Sequence, residues 1–396
     1  MRFTFRHTLR ACFIGYVVQA IVNHFVPLLF LTFEATYRIP LSQITWLVTL
    51  NFGVQLMVDL VSAKWIDRMG YRAAALIAHL FAALGLIGLT VLPALLPTPF
   101  FGLAAAVFIY ALGGGLLEVL VSPMVEACPT EHKESAMSLL HAFYCWGHVA
   151  VVLLSTVYFA LFGVENWKYI ALFWALIPIL NGILFFKVPI APLIREGDRG
   201  MSLRGLLRCR TFWVMFLLMI CAGACEQSVS QWASALAERG LHVQKTVGDL
   251  AGPLSFAAAM GLSRTVYGKF GKRLPLGRCM LGSGALCLFS YLLIALSPRS
   301  ALGFVGCALC GLSVGLLWPG TFSLASAGIP KGGTMLFAFL ALGGDLGCTG
   351  GPTLVGVFSG AFGGDLQRGI LCAALFPLLL IFGLAALSKS TNAKGA

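Results

Sequence analysis

Glu118 and Glu226 are two carboxylates set near the middle of long apolar runs, and that placement restricts what they can do. An ionisable side chain at mid-membrane depth costs about 2.5–3.5 kcal/mol on insertion scales, so it faces a partner or an aqueous cavity. Burial penalises the anion, which loses its hydration, and Glu118 therefore suits taking a proton from one side and releasing it on the other. The alternative is a hydrogen-bonded structural acid.

Around Glu226 the run Glu226-Gln227-Ser228-Val229-Ser230-Gln231-Trp232 is too polar to face lipid. Helical spacing sets Gln227 beside Gln231 and Glu226 beside Ser230, which reads as a stripe lining a cavity. Gln19, Asn23 and His24 make a smaller polar patch in the first run, with uncharged donors and acceptors suited to solute hydroxyls or to bonds between helices. His141 titrates near neutral pH and is a candidate proton partner for Glu118, or else a satisfied interior histidine; His148 has a weaker claim.

Other groups suit gating. Asn51, Gln55 and Asp59 recur every four residues, and Asp59 lies near the end of its run, where a gate contact is favoured over solute contact. Arg264 and Asp345 are isolated charges of opposite sign, and pairing them would lower the burial penalty; an arginine facing a cavity would also suit a carboxylated solute. Trp146, Trp232 and Trp318 lie within apolar runs, where each either stacks on the apolar face of a sugar ring or simply packs.

What must hold these groups is helix in a bilayer. The chain has 396 residues, of which 59% are hydrophobic and only 11% charged, against about 25% charged in a soluble domain. Spanning segments of roughly 20 apolar residues satisfy their own backbone as helices, and the runs lack the alternation that barrel strands require.

Spans are expected near residues 9–33, 41–62, 73–92, 100–127, 136–162 and 167–188, then 211–237, 247–267, 276–296, 301–328, 334–360 and 369–387. This is an all-α integral membrane fold of about twelve helices: a bundle over residues 1–188, a polar linker over 189–210 and a second bundle over 211–396. Arg2, Arg6 and Arg10 resemble the charged start of a signal peptide, but the following run is too long and lacks a small-residue cleavage site, so the first helix is expected to be retained.

Basic residues set the orientation. Placing both termini in the cytoplasm puts Lys64, Arg68, Arg72, the basic residues from Lys187 to Arg210 and those from Lys269 to Arg278 on that side. Arg38, Lys168, Arg239, Lys245, Arg299 and Arg368 are left opposite. That bias accounts for the net charge of +12 without nucleic acid, and points to an inner membrane of bacterial type. The twelve cysteines lie mostly in apolar runs and read as packing residues rather than a metal or redox site. Neither a phosphate-binding loop nor a zinc-spaced His-Glu pair is present, which argues against a membrane enzyme. The expected partners are the bilayer and a small solute, the expected state a monomer, and no cofactor beyond a coupling proton is implied.

The halves echo each other at an offset of about 200 residues. Asp67-Arg68-Met69-Gly70-Tyr71-Arg72 answers Gly268-Lys269-Phe270-Gly271-Lys272-Arg273. Gly115-Leu116-Leu117-Glu118 answers Gly315-Leu316-Leu317-Trp318, and the run from His141 to Gly147 answers that from Phe337 to Gly343.

These residues resemble the major facilitator superfamily over nearly the whole chain. Its loop signature is met by Asp67, Arg68, Gly70 and Arg72, with Ala63 in place of the opening glycine. The resemblance implies that Asp67 and Arg68 latch a cytoplasmic gate in the first half, while Gly268 replaces the acid in the second. Gly113-Gly114-Gly115-Leu116-Leu117-Glu118, Ser122-Pro123 and Leu139-Leu140-His141-Ala142-Phe143-Tyr144 look like the sugar-porter branch typified by fucose:proton symporters. That likeness implies proton coupling at Glu118, while Asn23, four residues before Pro27, stands where the branch carries an acid. The expected function is secondary active transport of a small polar solute, a sugar or related metabolite, by proton-coupled alternating access; the alternative is efflux of drugs or metabolites by proton antiport.

Overall fold

The computed structural model describes residues 3–129, 133–191, 201, 203–241, 243–270, 275–297, 299–329 and 332–392. Every regular element among them is helical. The chain divides into two compact units, Met1–Ile194 and Arg195–Ala396. The first holds α1 (Phe5–His24), α2 (Leu41–Met69), α3 (Tyr71–Leu95), α4 (Pro99–Ala127), α5 (Lys133–Phe162) and α6 (Trp167–Lys187). The second holds α7 (Arg210–Ser230), α8 (Ser255–Phe270), α9 (Leu276–Leu296), α10 (Ser300–Gly328), α11 (Gly333–Ala361) and α12 (Leu375–Asn392).

Ten helical stretches among the described residues are long and apolar enough to cross a bilayer. The sequence reading adds α8 and α11, which are helical but fall outside these ten. Outward faces carry Leu95, Leu161, Phe186 and Phe382, as surfaces solvated by lipid tails must.

Proline interrupts the helical ladder within several spans, including Phe5–Tyr37 and Leu366–Leu387, each of which is still one apolar stretch. The first does not run unbroken to Phe33: α1 stops at His24, and Val26–Leu29 forms a 3₁₀ turn before Phe30–Tyr37 resumes. Pro27 has no N–H to offer the carbonyl of Asn23, so the ladder ends there. Pro253 lies in the π-helical turn Leu250–Leu254 that precedes α8, and Pro377 follows the break between Leu366–Ala373 and α12. The span expected over 211–237 also divides, into α7, Ala233–Ala235 and the π-helical turn Leu236–Gly240. Most residues of the expected linker, 192–200 and 202, lie outside the described residues.

The two units repeat one packing plan. In the first, α1 packs on α4 and α5, α2 on α4, and α3 on α4; in the second, α7 packs on α10 and α11, α8 on α10, and α9 on α10. Small residues permit the approaches at equivalent places: Gly115 of α4 lies against Gln55 of α2, and Gly315 of α10 against Met260 and Ser263 of α8. Likewise Gly147 of α5 meets Val17 of α1, and Gly343 of α11 meets Phe216 of α7. The residues whose sequences echo therefore do the same work in each half.

Two polar ties brace the first unit away from its centre. The guanidinium of Arg72 donates to the carbonyls of Phe185, Phe186 and Val188 at 2.7–2.8 Å, capping the C-terminus of α6 with a cation. Asn181 of α6 donates to the carbonyl of Ala11 at 3.0 Å and lies 2.8 Å from His79 Nε2. His79 Nδ1 in turn lies 2.7 Å from the carbonyl of Ala75, so α1, α3 and α6 are tied together.

Candidate functional site

Among the described residues, each unit has a buried polar cluster built on its first helix. In the first the hub is Asn23, the last but one residue of α1, set immediately before the break that Pro27 imposes. Its side-chain carbonyl accepts from Asn51 Nδ2 at 3.1 Å and Gln55 Nε2 at 2.8 Å, both from α2. Its amide donates to the hydroxyl of Tyr144 on α5 at 3.4 Å, and that hydroxyl shares a 3.0 Å hydrogen bond with His24 Nε2. The imidazole of His24 stacks on that of His148, with ring centroids 3.4 Å apart and an interplanar angle of 3°.

One turn earlier on α1, Gln19 Nε2 donates to Glu118 Oε2 at 2.5 Å. This bond holds a half-buried carboxyl group on α4. Tyr16 and Ser122 share a further bond of 2.9 Å. The i, i+4 spacings Gln19–Asn23 and Asn51–Gln55 lay these amides along facing helices, while Tyr144 and His148 occupy one face of α5.

In the second unit Glu226 of α7 sits 3.2 Å from a guanidinium nitrogen of Arg264 on α8. Gln227 donates to Glu226 at 3.4 Å, and Gln231 donates to Gln227 at 3.1 Å. The hydroxyl oxygen of Ser230 is buried and has no hydrogen-bond partner within the protein. Beside this stripe the thiol of Cys287 on α9 lies within hydrogen-bonding reach of those of Cys225 on α7 and Cys310 on α10.

A sequence profile of the Major Facilitator Superfamily matches residues 11–352. The chain belongs to the major facilitator superfamily. No curated protein matches it in sequence. Among solved structures, a bacterial homologue of the human lysosomal transporter Spinster, in an inward-facing and unoccupied conformation, superposes with a TM-score of 0.76 at 14% identity, covering 97% of each chain. The Escherichia coli fucose:proton symporter gives 0.62 at 15% identity over 96% of this chain and 97% of its own. A D-xylose-proton symporter gives 0.75 at 12% identity over 96% and 95%. At these identities the likeness speaks for the fold.

Within this superfamily fold the expected site residues are distributed unevenly. Gln19, Asn23, His24 and Glu118 converge in the first unit, joined by Asn51 and Gln55. His141 is exposed, one helical face with Tyr144 and His148, and its ring lies 5.6 Å from that of Tyr16. Asp59 is half-buried on α2; the side chains of Asp67 and Arg68 lie outside the described residues. Glu226, Gln227 and Ser230 lie in the last turn and a half of α7, and Gln231 caps its C-terminal end.

Three tryptophans depart from the expectation of a stacking platform. Trp146 lies two residues from both Tyr144 and His148, which turns it about 200° away from their face, and it is 52% exposed. Trp232 is wholly buried, its indole donating to the carbonyl of Pro352 at 2.9 Å, so it locks α11 rather than presenting a ring. Trp318 packs over Gly344 and edge-on to Phe322. Asp345 is buried on α11, where Thr349 donates to its backbone carbonyl at 2.8 Å. Arg264 takes Glu226 as a carboxylate partner, a pairing that charge counting did not single out.

The sequence reading also passed over Tyr144, although it quoted the residue. The available signal was its spacing from His141 and His148, at i−3 and i+4, which puts all three on one face of α5.

Proposed function

We propose that this superfamily member moves a small polar solute, a sugar or related metabolite, by proton-coupled alternating access, with the Asn23 cluster contacting the solute and Glu118 carrying the proton. The observation that carries the reading is the makeup of the first unit's cluster. Amides, a phenol and imidazoles are drawn together on α1, α2 and α5, with one carboxylate on α4 held by Gln19. Amides offer donors and acceptors in pairs, which matches the hydroxyls of a neutral solute. Neutralising Glu118 lowers the cost of closing a cavity around it.

The named functions of two structural neighbours, fucose:proton and D-xylose-proton symport, support this class of solute and coupling. The positive-inside bias supports cytoplasmic termini in a bacterial inner membrane. A monomer in the bilayer is sufficient for the scheme.

The test uses the purified chain alone. Thermal-shift screening against sugars, sugar acids, amino acids and nucleosides identifies a ligand, since binding stabilises the folded state. That ligand, radiolabelled, is then offered to liposomes carrying the protein. Accumulation driven by an inside-alkaline pH gradient is the expected result. Accumulation only under the opposite gradient would mean efflux, and no flux of any stabilising solute would remove transport altogether.

A further inference from the structure

We propose that His24 and His148 form a proton-binding site that holds one proton between two stacked imidazoles, and that Tyr144 passes its occupancy on to Asn23. The sequence looked to Glu118 and His141 for the proton, gave His148 a weaker claim, and read His24 only as part of the polar patch on the first helix. The geometry points elsewhere. His24 on α1 and His148 on α5 are 3% and 1% exposed, and their rings lie parallel at 3.4 Å, leaving no room for water between them.

That arrangement fixes the capacity. Two imidazolium ions face to face at this distance repel with little screening, whereas one imidazolium over a neutral imidazole is attracted by the ring face. The pair therefore takes up one proton and refuses a second. His24 Nδ1 is buried with no hydrogen-bond partner within the protein, so it can carry the hydrogen of the neutral ring and leave Nε2 to take up the proton.

The readout follows from hydrogen-bond polarity. With Nε2 of His24 bare, Tyr144 donates its hydroxyl hydrogen to that nitrogen and its oxygen accepts from Asn23. With Nε2 protonated, the imidazole becomes the donor, so the Tyr144 oxygen then accepts from both His24 and Asn23. Its own hydrogen must turn to a new acceptor. Asn23 cannot answer by flipping its amide, because its carbonyl oxygen is held by both Asn51 and Gln55. One proton thus turns the Tyr144 hydroxyl from a satisfied donor into one seeking a partner at the heart of the polar cluster. The step is proton transfer alone: an imidazole lone pair takes the proton from water and later returns it.

Other titratable groups stand on the neighbouring elements. They include Tyr16 on α1, Glu118 and Glu126 on α4, His141, Tyr144 and Cys145 on α5, Asp59 on α2, His79 on α3 and Glu34 on Phe30–Tyr37. Tyr144 bonds the pair directly; Glu118 reaches the same face of α1 through Gln19, one turn before Asn23.

Use of this proton to drive a solute rests on the transport reading above; its binding does not. The test is nuclear magnetic resonance of protein carrying 15N-histidine in lipid nanodiscs, where ring nitrogen shifts separate charged from neutral imidazoles. His24→Gln and His148→Gln assign the two signals. The expected result, in a titration from about pH 9 down to the lowest pH at which the protein stays folded, is that both rings change over one shared interval, and that their summed uptake stops at one proton. In His148→Gln the remaining His24 should titrate alone with a displaced midpoint. Tyr144→Phe, which keeps both rings, should displace the shared midpoint by about one pH unit or more. Two protons taken up independently, no uptake in the interval, or a His24 midpoint indifferent to His148→Gln would each overturn the site. A protein that titrates as expected yet carries no solute would keep the site and remove only its use in transport.

Discussion

Glu226 and Arg264 approach to 3.2 Å between α7 and α8, with side chains only 9% and 15% exposed. Such a pair repays its desolvation only while both partners are present. Glu226→Ala removes the carboxylate that offsets the burial of the guanidinium, and Arg264→Ala removes the cation that offsets the burial of the carboxylate.

Each single substitution should therefore lower stability by about 3–5 kcal/mol, and the double variant should cost clearly less than their sum. Reversible unfolding in mixed micelles, run as a double-mutant cycle, measures the coupling. Additive losses would show that the two side chains act independently.

Gln19 holds Glu118 at 2.5 Å, and Glu118→Gln keeps an oxygen acceptor for that bond while abolishing the charge. A pH gradient of one unit stores about 1.4 kcal/mol, enough for about tenfold accumulation at one proton per solute. The variant should fall to simple equilibration while retaining solute exchange across the liposome membrane. Undiminished uphill uptake would exclude Glu118 from coupling.

These expectations show what the sequence made legible. The apolar runs located the helices because bilayer thickness and backbone satisfaction leave few choices. Residue types near the span centres, such as Gln19, Asn23 and Glu118, marked the polar cluster correctly. Their partners were hidden, since Gln19 and Glu118 stand 99 residues apart and Asn23 and Tyr144 stand 121 apart, and only packing brings them together. Pro27 lies inside the span that the sequence located, Phe5–Tyr37, but its interruption of the helical ladder at Asn23 was not drawn from it. Trp146 was judged by residue type alone, when its angle on the helix already turned it away from Tyr144.

Close packing of α7 on α11 gives a sharper contrast between neighbouring glycines. A Cβ on Gly347 would press into the backbone carbonyl of Ile220 and lie 2.8 Å from the amide nitrogen of Ala224, where no flexible atom can yield. Gly350, on the same helix, has nothing within 4 Å of such a Cβ. Gly347→Ala should cost about 1–3 kcal/mol through overpacking, whereas Gly350→Ala should be neutral or stabilising by up to about 1 kcal/mol. Thermal unfolding midpoints of the two variants check the order, and equal losses would mean that the α7–α11 contact is not as tight as described.

Glu238 supplies a pH dependence outside the spanning helices. It lies in the turn Leu236–Gly240, 3.1 Å from Lys245, which also reaches Asp249 at 3.2 Å. Burial raises its pKa above the ordinary 4.5; attraction and hydrogen bonding from Lys245 oppose the shift without overcoming it, and Asp249 adds to it. The folded protein therefore binds this proton more tightly than the unfolded chain does. By linkage, the resulting stability is full below the unfolded value of about 4.3 and is lost as pH rises through the raised folded value. Glu238→Gln cannot titrate, so the stability of the natural protein minus that of the variant should be greater at about pH 4 than at about pH 7. Unfolding curves of both proteins across that range give the difference directly. A difference that grew towards neutral pH would mean that Lys245 outweighs burial, and that the ion pair rather than the buried acid governs this end of α7.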